Sequence, residues 1–395
     1  MLKLIFLFIL PITAFANFNF YKDLSLKPID MEQFGDALTE EIFKSEAWPQ
    51  KISFENKEYD IQYTFNEDLT DYIKKRLRRY RSDYASVVVI DNNNGKILSA
   101  VDYTRSTKKF GRNLTFSSTN PAASLFKVIT AADLIENTDI NKESVFSYRG
   151  RATTLYKYQL KDKKTRWTRS IPLSRAFAYS NNVVFGKAAI NNTDYKSLVA
   201  MANKFGFNQD IMQVLNTGSS KLFNKADEYG LAELASGFNR KTMISPVHGA
   251  VISSIIANNG VMIHPTLIDH IESSQHKRKI WEAGYDVSRV LTEESSKEMQ
   301  DLMQMTVKRG TARGAFRPWK TKKVMKTLEI GGKTGTITGG VPYGKRDWFS
   351  SYAKPQNSDD KGISVCVMIV NVEKWYVKST YLAKEVIEHY YSKIK

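Results

Sequence analysis

The sequence predicts a chain of mixed α and β structure, with one sheet built from both ends of the chain and a mainly helical stretch between them. Three observations carry this. Ala85-Ser86-Val87-Val88-Val89-Ile90 and Lys96-Ile97-Leu98-Ser99-Ala100-Val101 are strand-like runs that flank Asp91-Asn92-Asn93-Asn94-Gly95, with Asn-Gly marking a hairpin turn. Residues from about 121 to 315 are mainly helical in pattern, with polar, loop-like segments near 148–170 and 216–229. Strands return at 328–338, 346–353 and 362–371, before a final helix over about 376–392.

Ahead of the hairpin, Lys3 precedes a mostly apolar run over residues 4–15, broken by Pro11 and Thr13 and ending Ala14-Phe15-Ala16. This reads as a cleavable secretory signal cut after Ala16. A membrane span needs about 20 apolar residues, and Asn17, Tyr21, Lys22 and Asp23 come too soon. Residues from 17 to about 80 are polar and mixed and close with an amphipathic helix carrying Leu69, Tyr72, Ile73, Leu77 and Tyr80. Its basic residues, Lys74, Lys75, Arg76, Arg78, Arg79 and Arg81, read first as a solvated face and second as a surface drawn to the wall. The expected organisation is a signal over 1–16, a short N-terminal region over 17–82 and one catalytic domain over 83–395.

With 395 residues and 42% hydrophobic content the chain has ample material for a packed core. Export gives meaning to the lone cysteine, because in an oxidising compartment one thiol cannot form an internal disulfide. Cys366 lies in Ile363-Ser364-Val365-Cys366-Val367-Met368-Ile369-Val370, a buried strand in which it acts as a small hydrophobe. The net charge of +17 draws an exported chain to anionic wall polymers or membrane surfaces. Nucleic acid is not an expected partner outside the cytoplasm, and the five histidines show no paired metal-ligand spacing.

Three short stretches carry chemistry. In Asn120-Pro121-Ala122-Ala123-Ser124, Asn120 reads as a helix N-cap and Pro121 as the first helical residue, which places Ser124 in the first turn. There the positive end of the helix dipole favours an alkoxide, and Lys127 projects from the same face. Residues 121–136 are apolar nearly all round, so the helix is expected to be buried. A buried lysine loses its proton more readily and can take the Ser124 proton. Ser106…Lys109, Ser274…Lys277 and Ser358…Lys361 share the spacing but sit in polar surroundings, and the alternative for Ser124 is a structural serine.

Ser180-Asn181-Asn182 comes after a helical approach over residues 171–179 and precedes apolar Val183, Val184 and Phe185. There Ser180 suits proton relay and Asn182 suits recognition of a substrate amide. A polar loop or cap is the plainer reading, since Ser118-Thr119-Asn120 has the same form. Gly331-Gly332-Lys333-Thr334-Gly335-Thr336 contains the single Lys-Thr-Gly of the chain. A phosphate-binding P-loop is excluded, because its first glycine would fall at Thr327 and Ile337-Thr338-Gly339 reads as strand where that motif needs helix. On a strand edge, Gly335 would let an extended substrate pair alongside. Lys333 would hold a substrate carboxylate with the Thr334 and Thr336 hydroxyls, and the backbone N–H groups of Ser124 and Thr336 would form an oxyanion hole.

The serine-x-x-lysine, serine-x-asparagine and lysine-threonine-glycine set, in this order, resembles that of the penicillin-recognising serine acyltransferases, the penicillin-binding proteins and serine β-lactamases. Residues 86–100 resemble the opening hairpin of that family and residues 122–132 its nucleophile helix. Residues 231–237 and 255–260 resemble the helices before its second half, and Arg309-Gly310-Thr311-Ala312 and Trp348-Phe349 flank the Lys-Thr-Gly strand as in transpeptidase domains. The resemblance covers about 83–392 and is strongest to monofunctional transpeptidases. One departure is Ala123, where many relatives carry glycine.

The resemblance implies an antiparallel sheet flanked by helices plus a mainly helical subdomain, with the site between them. It implies a periplasmic D,D-transpeptidase or D,D-carboxypeptidase for peptidoglycan stem peptides that needs no cofactor. Ser124 is then the nucleophile, with Lys127, Ser180 and Lys333 as its catalytic partners, and Asn182, Thr334, Gly335 and Thr336 bind substrate. β-Lactams are the implied covalent ligands, and a glycan polymerase or other wall-synthesis proteins the implied partners. A β-lactamase or lactam sensor fits less well, because no glutamate is recognisable as a deacylation base. A wall-binding scaffold without chemistry fits poorly with an intact motif set.

Overall fold

In the computed structural model, residues 29–225, 227–317 and 320–394 are described; the expected signal over 1–16 lies outside them. The central element is a six-stranded antiparallel sheet in the order Leu328–Gly339, Gly344–Pro355, Ile363–Asn371, Tyr84–Asp91, Ile97–Thr104, Lys109–Gly111. Its halves lie more than two hundred residues apart in sequence, and the predicted hairpin and C-terminal strands meet where Ile363–Asn371 pairs with Tyr84–Asp91, Cys366 opposite Val88.

Alternation along these two strands explains why the sheet needs helices on both faces. Val87, Val89, Val365, Val367 and Ile369 share one core with Leu69, Ile73 and Leu77 of helix Glu67–Tyr80 and with Leu382, Val386 and Ile387 of helix Ser379–His389. The intervening Val88, Ile90, Cys366, Met368 and Val370 point the other way, into a core shared with helix Pro246–Ala257. A period of two in the strands thus meets a period near four in the helices. The helix 246–257 approaches so closely that a Cβ on Gly249 would sit 2.7 Å from the Cys366 Sγ. Cys366 is fully buried with a free thiol, and burial pushes that thiol well above its usual range.

The mainly helical part holds helices Lys127–Asn137, Leu173–Ala178, Asn182–Asn192, Tyr195–Lys204 and Glu228–Ser236; the first packs against the last three, and Leu173–Ala178 packs against helix Glu293–Lys308. Beyond it the pattern departs from expectation. Residues 261–289 contain four strands, among them Ile268–Ser273, which pairs on one side with Lys279–Glu282 and on the other with Lys57–Tyr63 of an N-terminal hairpin. The partner of Ile268–Ser273 lies about two hundred residues upstream, so no local period announces it. Residues 29–80 are thereby knitted into the body, with Phe34, Leu38 and Ile42 of helix Met31–Lys44 buried in the same core as Ile268 and Ile271. Among the described residues no helix is long and apolar enough to cross a membrane.

Candidate active site

The site forms where the edge strand Leu328–Gly339 meets the segment that leads into helix Lys127–Asn137. Asn120 and Pro121 do not cap that helix as the sequence suggested. They form a short strand paired with Met243–Ile244, and the helix begins with a tight turn over Ala123–Phe126. Asn120 is fully buried and its side chain is already engaged: Oδ1 accepts from Arg346 Nε at 2.8 Å and Nδ2 donates to the Ser117 carbonyl at 3.1 Å. Trp348 Nε1 donates to the Pro121 carbonyl at 3.1 Å. Two side chains of the second sheet strand therefore fix the segment three and four residues before Ser124.

Ala123, just before Ser124, has φ of +51°, and Ser180 has φ of +57°. Both lie in the left-handed region, which costs an L-residue roughly 1–2 kcal/mol. Such strain persists only where surroundings over-determine it. Here Gly237 supplies the constraint, since a Cβ on it would run into the Ala123 carbonyl, and a Cβ on Gly335 would stand 3.3 Å from the Ala123 methyl.

Lys127 is fully buried. Its Nζ lies 3.0 Å from Ser124 Oγ and donates to Asn182 Oδ1 at 2.7 Å and to the Ser236 carbonyl. Burial is the first cause that holds its pKa well below the ordinary lysine value, and the nearby charge of Lys333 is the second. A neutral Lys127 can accept one proton, and the neighbour within reach that has a proton to give is the partly exposed Ser124 hydroxyl.

Lys333 is also fully buried, and desolvation lowers its pKa to about 7. Its Nζ lies 3.0 Å from Ser180 Oγ and donates to the Thr334 carbonyl at 3.0 Å. Ser180 thus stands beside one lysine as Ser124 stands beside the other. Thr334 Oγ1 is 2.6 Å from Thr311 Oγ1, whose residue donates its backbone N–H to the Ala178 carbonyl at 3.0 Å. Thr336 is exposed on the same strand, whose outer edge is unpaired because it is the first in the sheet order.

All eight residues singled out in the sequence lie in or beside this constellation. Asn182 Oδ1 accepts from Lys127, and Nδ2 donates to the Thr153 carbonyl at 3.0 Å. These two bonds use one of the oxygen's two lone pairs and one of the two N–H groups. Sequence reasoning placed Thr311 and Trp348 only as flanking the Lys-Thr-Gly strand, and it gave no role to the Ser236 carbonyl or Arg346. Ser236-Gly237 carried one usable signal, a glycine just past a helix end; Arg346 carried none, because its partners are backbone carbonyls of a hairpin turn and the distant Asn120.

Both the strain and the buried charge can be tested. Ala123→Gly should leave chemical stability unchanged or raise it by about 0.5–1 kcal/mol, where a glycine at an ordinary helical position would lower it by a similar amount; urea midpoints decide. For Lys333 the folded pKa lies below the unfolded one, so the unfolded chain binds the extra proton between about 7 and 10.5. Stability should therefore rise with pH across that window by about 1.4 kcal/mol per unit at most, and the penalty is complete below about 7. Lys333→Met should raise the melting temperature at pH 7 and flatten this pH dependence. A lower melting temperature would mean that the ammonium is well solvated.

The family model for the penicillin binding protein transpeptidase domain matches residues 85–388. The peptidoglycan D,D-transpeptidase PbpA of Mycobacterium tuberculosis is 24% identical over 274 residues, which is 66% of this chain and 51% of that protein. The stage V sporulation protein D of Bacillus subtilis is 23% identical over 324 residues, 74% of this chain and 48% of the other. The chain thus spans about half the length of the curated relatives it matches. Among solved structures, apo penicillin binding protein 3 of M. tuberculosis superposes with a TM-score of 0.68 at 18% identity, covering 83% of this chain and 78% of that one. The D,D-transpeptidase domain of a peptidoglycan glycosyltransferase from Eggerthella lenta gives 0.65 at 22% identity, covering 83% and 82%. With a match across three quarters of its length, over the sheet, the helices and all three motifs, this chain belongs to the penicillin binding protein transpeptidase domain family.

Proposed function

We propose that the chain is a serine D,D-transpeptidase that acts on peptidoglycan stem peptides through a Ser124 acyl-enzyme and is acylated by β-lactams. The observation that carries this reading is the pairing of two buried lysines with two serines, Lys127 with Ser124 and Lys333 with Ser180, each at 3.0 Å, beside an open strand edge. The donor peptide lies extended along residues 333–336, its terminal carboxylate on protonated Lys333 and the Thr334 and Thr336 hydroxyls. Lys127 takes the Ser124 proton as Oγ bonds to the penultimate D-alanine carbonyl carbon. The Ser124 and Thr336 N–H groups hold the oxyanion. As the C–N bond breaks, the terminal D-alanine leaves as an amine with a proton passed through Ser180. Lys127 is the source of that proton and is neutral again; an amine then attacks the ester to give a cross-link, or water attacks to give trimming, and the attacking group's proton goes to Lys127 and on to Ser124 Oγ as the ester C–O bond breaks, which restores the Ser124 hydroxyl.

The layout that goes with this reading is an export signal over 1–16, a short region over 17–82 and the catalytic domain over 83–395, working in the periplasm with other wall-synthesis proteins. The charged lead Lys3, the short apolar run and Ala14-Phe15-Ala16 support export.

Fluorescent penicillin should label the purified protein at one serine, and Ser124→Ala should abolish labelling with the fold intact; labelling elsewhere would overturn the assignment. The second-order rate should fall as pH rises above about 7, where Lys333 gives up the proton that holds the lactam carboxylate. A rate still climbing at pH 9 would remove Lys333 from that role. Incubation with a pentapeptide-bearing muropeptide, followed by mass analysis, separates cross-linked dimer from tetrapeptide.

A further inference from the structure

Residues 149–169 carry eight lysines and arginines and a single acid, Asp162, against 58 basic and 41 acidic residues in the whole chain. Asp162 is paired with Lys187 at 2.5 Å. Three large aromatics stand out of the same segment, Trp167 at 69%, Tyr156 at 56% and Tyr158 at 53% exposure. The two tyrosine rings stack at 5.8 Å, and the Arg166 guanidinium lies 4.8 Å over Trp167. Water-exposed aromatic faces interleaved with cations suit a ligand that is both flat-faced and anionic.

The segment is a built surface. Gln159 is fully buried at its centre, with Oε1 accepting from Thr154 Oγ1 and the Tyr156 N–H and Nε2 donating to the Arg149 and Arg151 carbonyls. Leu155 and Leu160 pack on Gly186 of helix Asn182–Asn192, and Tyr229 Oη donates to the Leu155 carbonyl at 2.7 Å. It is also continuous with the catalytic centre. The Ala152 carbonyl accepts from the Asn182 N–H at 2.8 Å, and the Thr153 carbonyl accepts from the Asn182 side chain that holds Lys127.

We propose that residues 149–169 form a docking platform for the carboxylate-bearing glycan-peptide strand of peptidoglycan, outside the groove that holds the reacting peptide. This rests on the transpeptidase reading of Ser124. Sugar rings present flat C–H faces to Trp167 and the tyrosine pair, and stem-peptide carboxylates meet Lys161, Lys163, Lys164 and Arg166. Position favours this occupant over a lipid surface: a strand lying on the platform leads straight to Asn182 and Ser124, whereas a bilayer seated there would crowd the opening through which polymer must arrive.

The test uses the intact chain, purified sacculi and two variants, one with Lys161, Lys163, Lys164 and Arg166 all changed to Gln, the other Trp167→Ala. Sedimentation with sacculi should weaken at least about tenfold in the first, with a flatter salt dependence. In Trp167→Ala it should weaken several-fold with the salt dependence kept. Labelling by fluorescent penicillin, which reports the fold and the Ser124 centre alone, should stay within about twofold in both. Sacculus binding equal to wild type in both variants overturns the platform. So does wild-type binding to phosphatidylglycerol vesicles with none to sacculi, which would assign the surface to a membrane. If wild type is not labelled by penicillin, the Ser124 reading fails, while the sedimentation comparison still decides whether the platform binds wall polymer.

Discussion

Two fully buried lysines in one site, with no ion pair to a carboxylate among the described residues, set the terms for everything around them. An ammonium taken out of water without a counter-charge is expensive, so burial pulls the pKa of both lysines down, that of Lys333 to about 7. The charge of Lys333 makes Lys127 harder still to protonate. The protein thus places beside Ser124, at 3.0 Å, an amine whose pKa burial holds well below the ordinary lysine value.

That arrangement survives because rigid elements surround it. The edge strand supplies Lys333, and its neighbour supplies Arg346 and Trp348, which hydrogen-bond Asn120 and Pro121 just upstream of Ser124. The Lys-Thr-Gly strand and the turn that carries Ser124 are therefore joined through the sheet. The left-handed Ala123 and Ser180 mark the two places where the backbone absorbs the misfit. Thr311 closes the ring by joining the segment before Ser180 to Thr334.

Much of this was legible in the sequence where the determinants are local. The Asn-Gly hairpin, the amphipathic helix ending at Tyr80, the C-terminal strands and the burial of Cys366 each rest on a period or a turn signal a few residues long. That Ser124, Lys127, Ser180, Asn182 and Lys333 come together was legible because their spacings are short and their settings differ from those of the decoys. What stayed hidden is non-local. Asn120 looked like a helix cap because Asn-Pro is a good cap; its strand role depends on Met243, Ile244 and Arg346, far away in sequence. The strand Ile268–Ser273 was hidden for the same reason, since its partner is the N-terminal hairpin. The loop over 149–169 read as polar connection, and only its docking on Asn182 gives its charges a place.

The central claim is that Lys127 is uncharged in the resting protein and so able to take the Ser124 proton. Lysine side-chain NMR titration of the isotopically labelled chain, with the Lys127 signal assigned by its loss in Lys127→Met, measures this directly. A Lys127 signal that titrates well below the ordinary 10.5 is the expected result. A signal that titrates near 10.5 would show a charged Lys127 and contradict its role as the base.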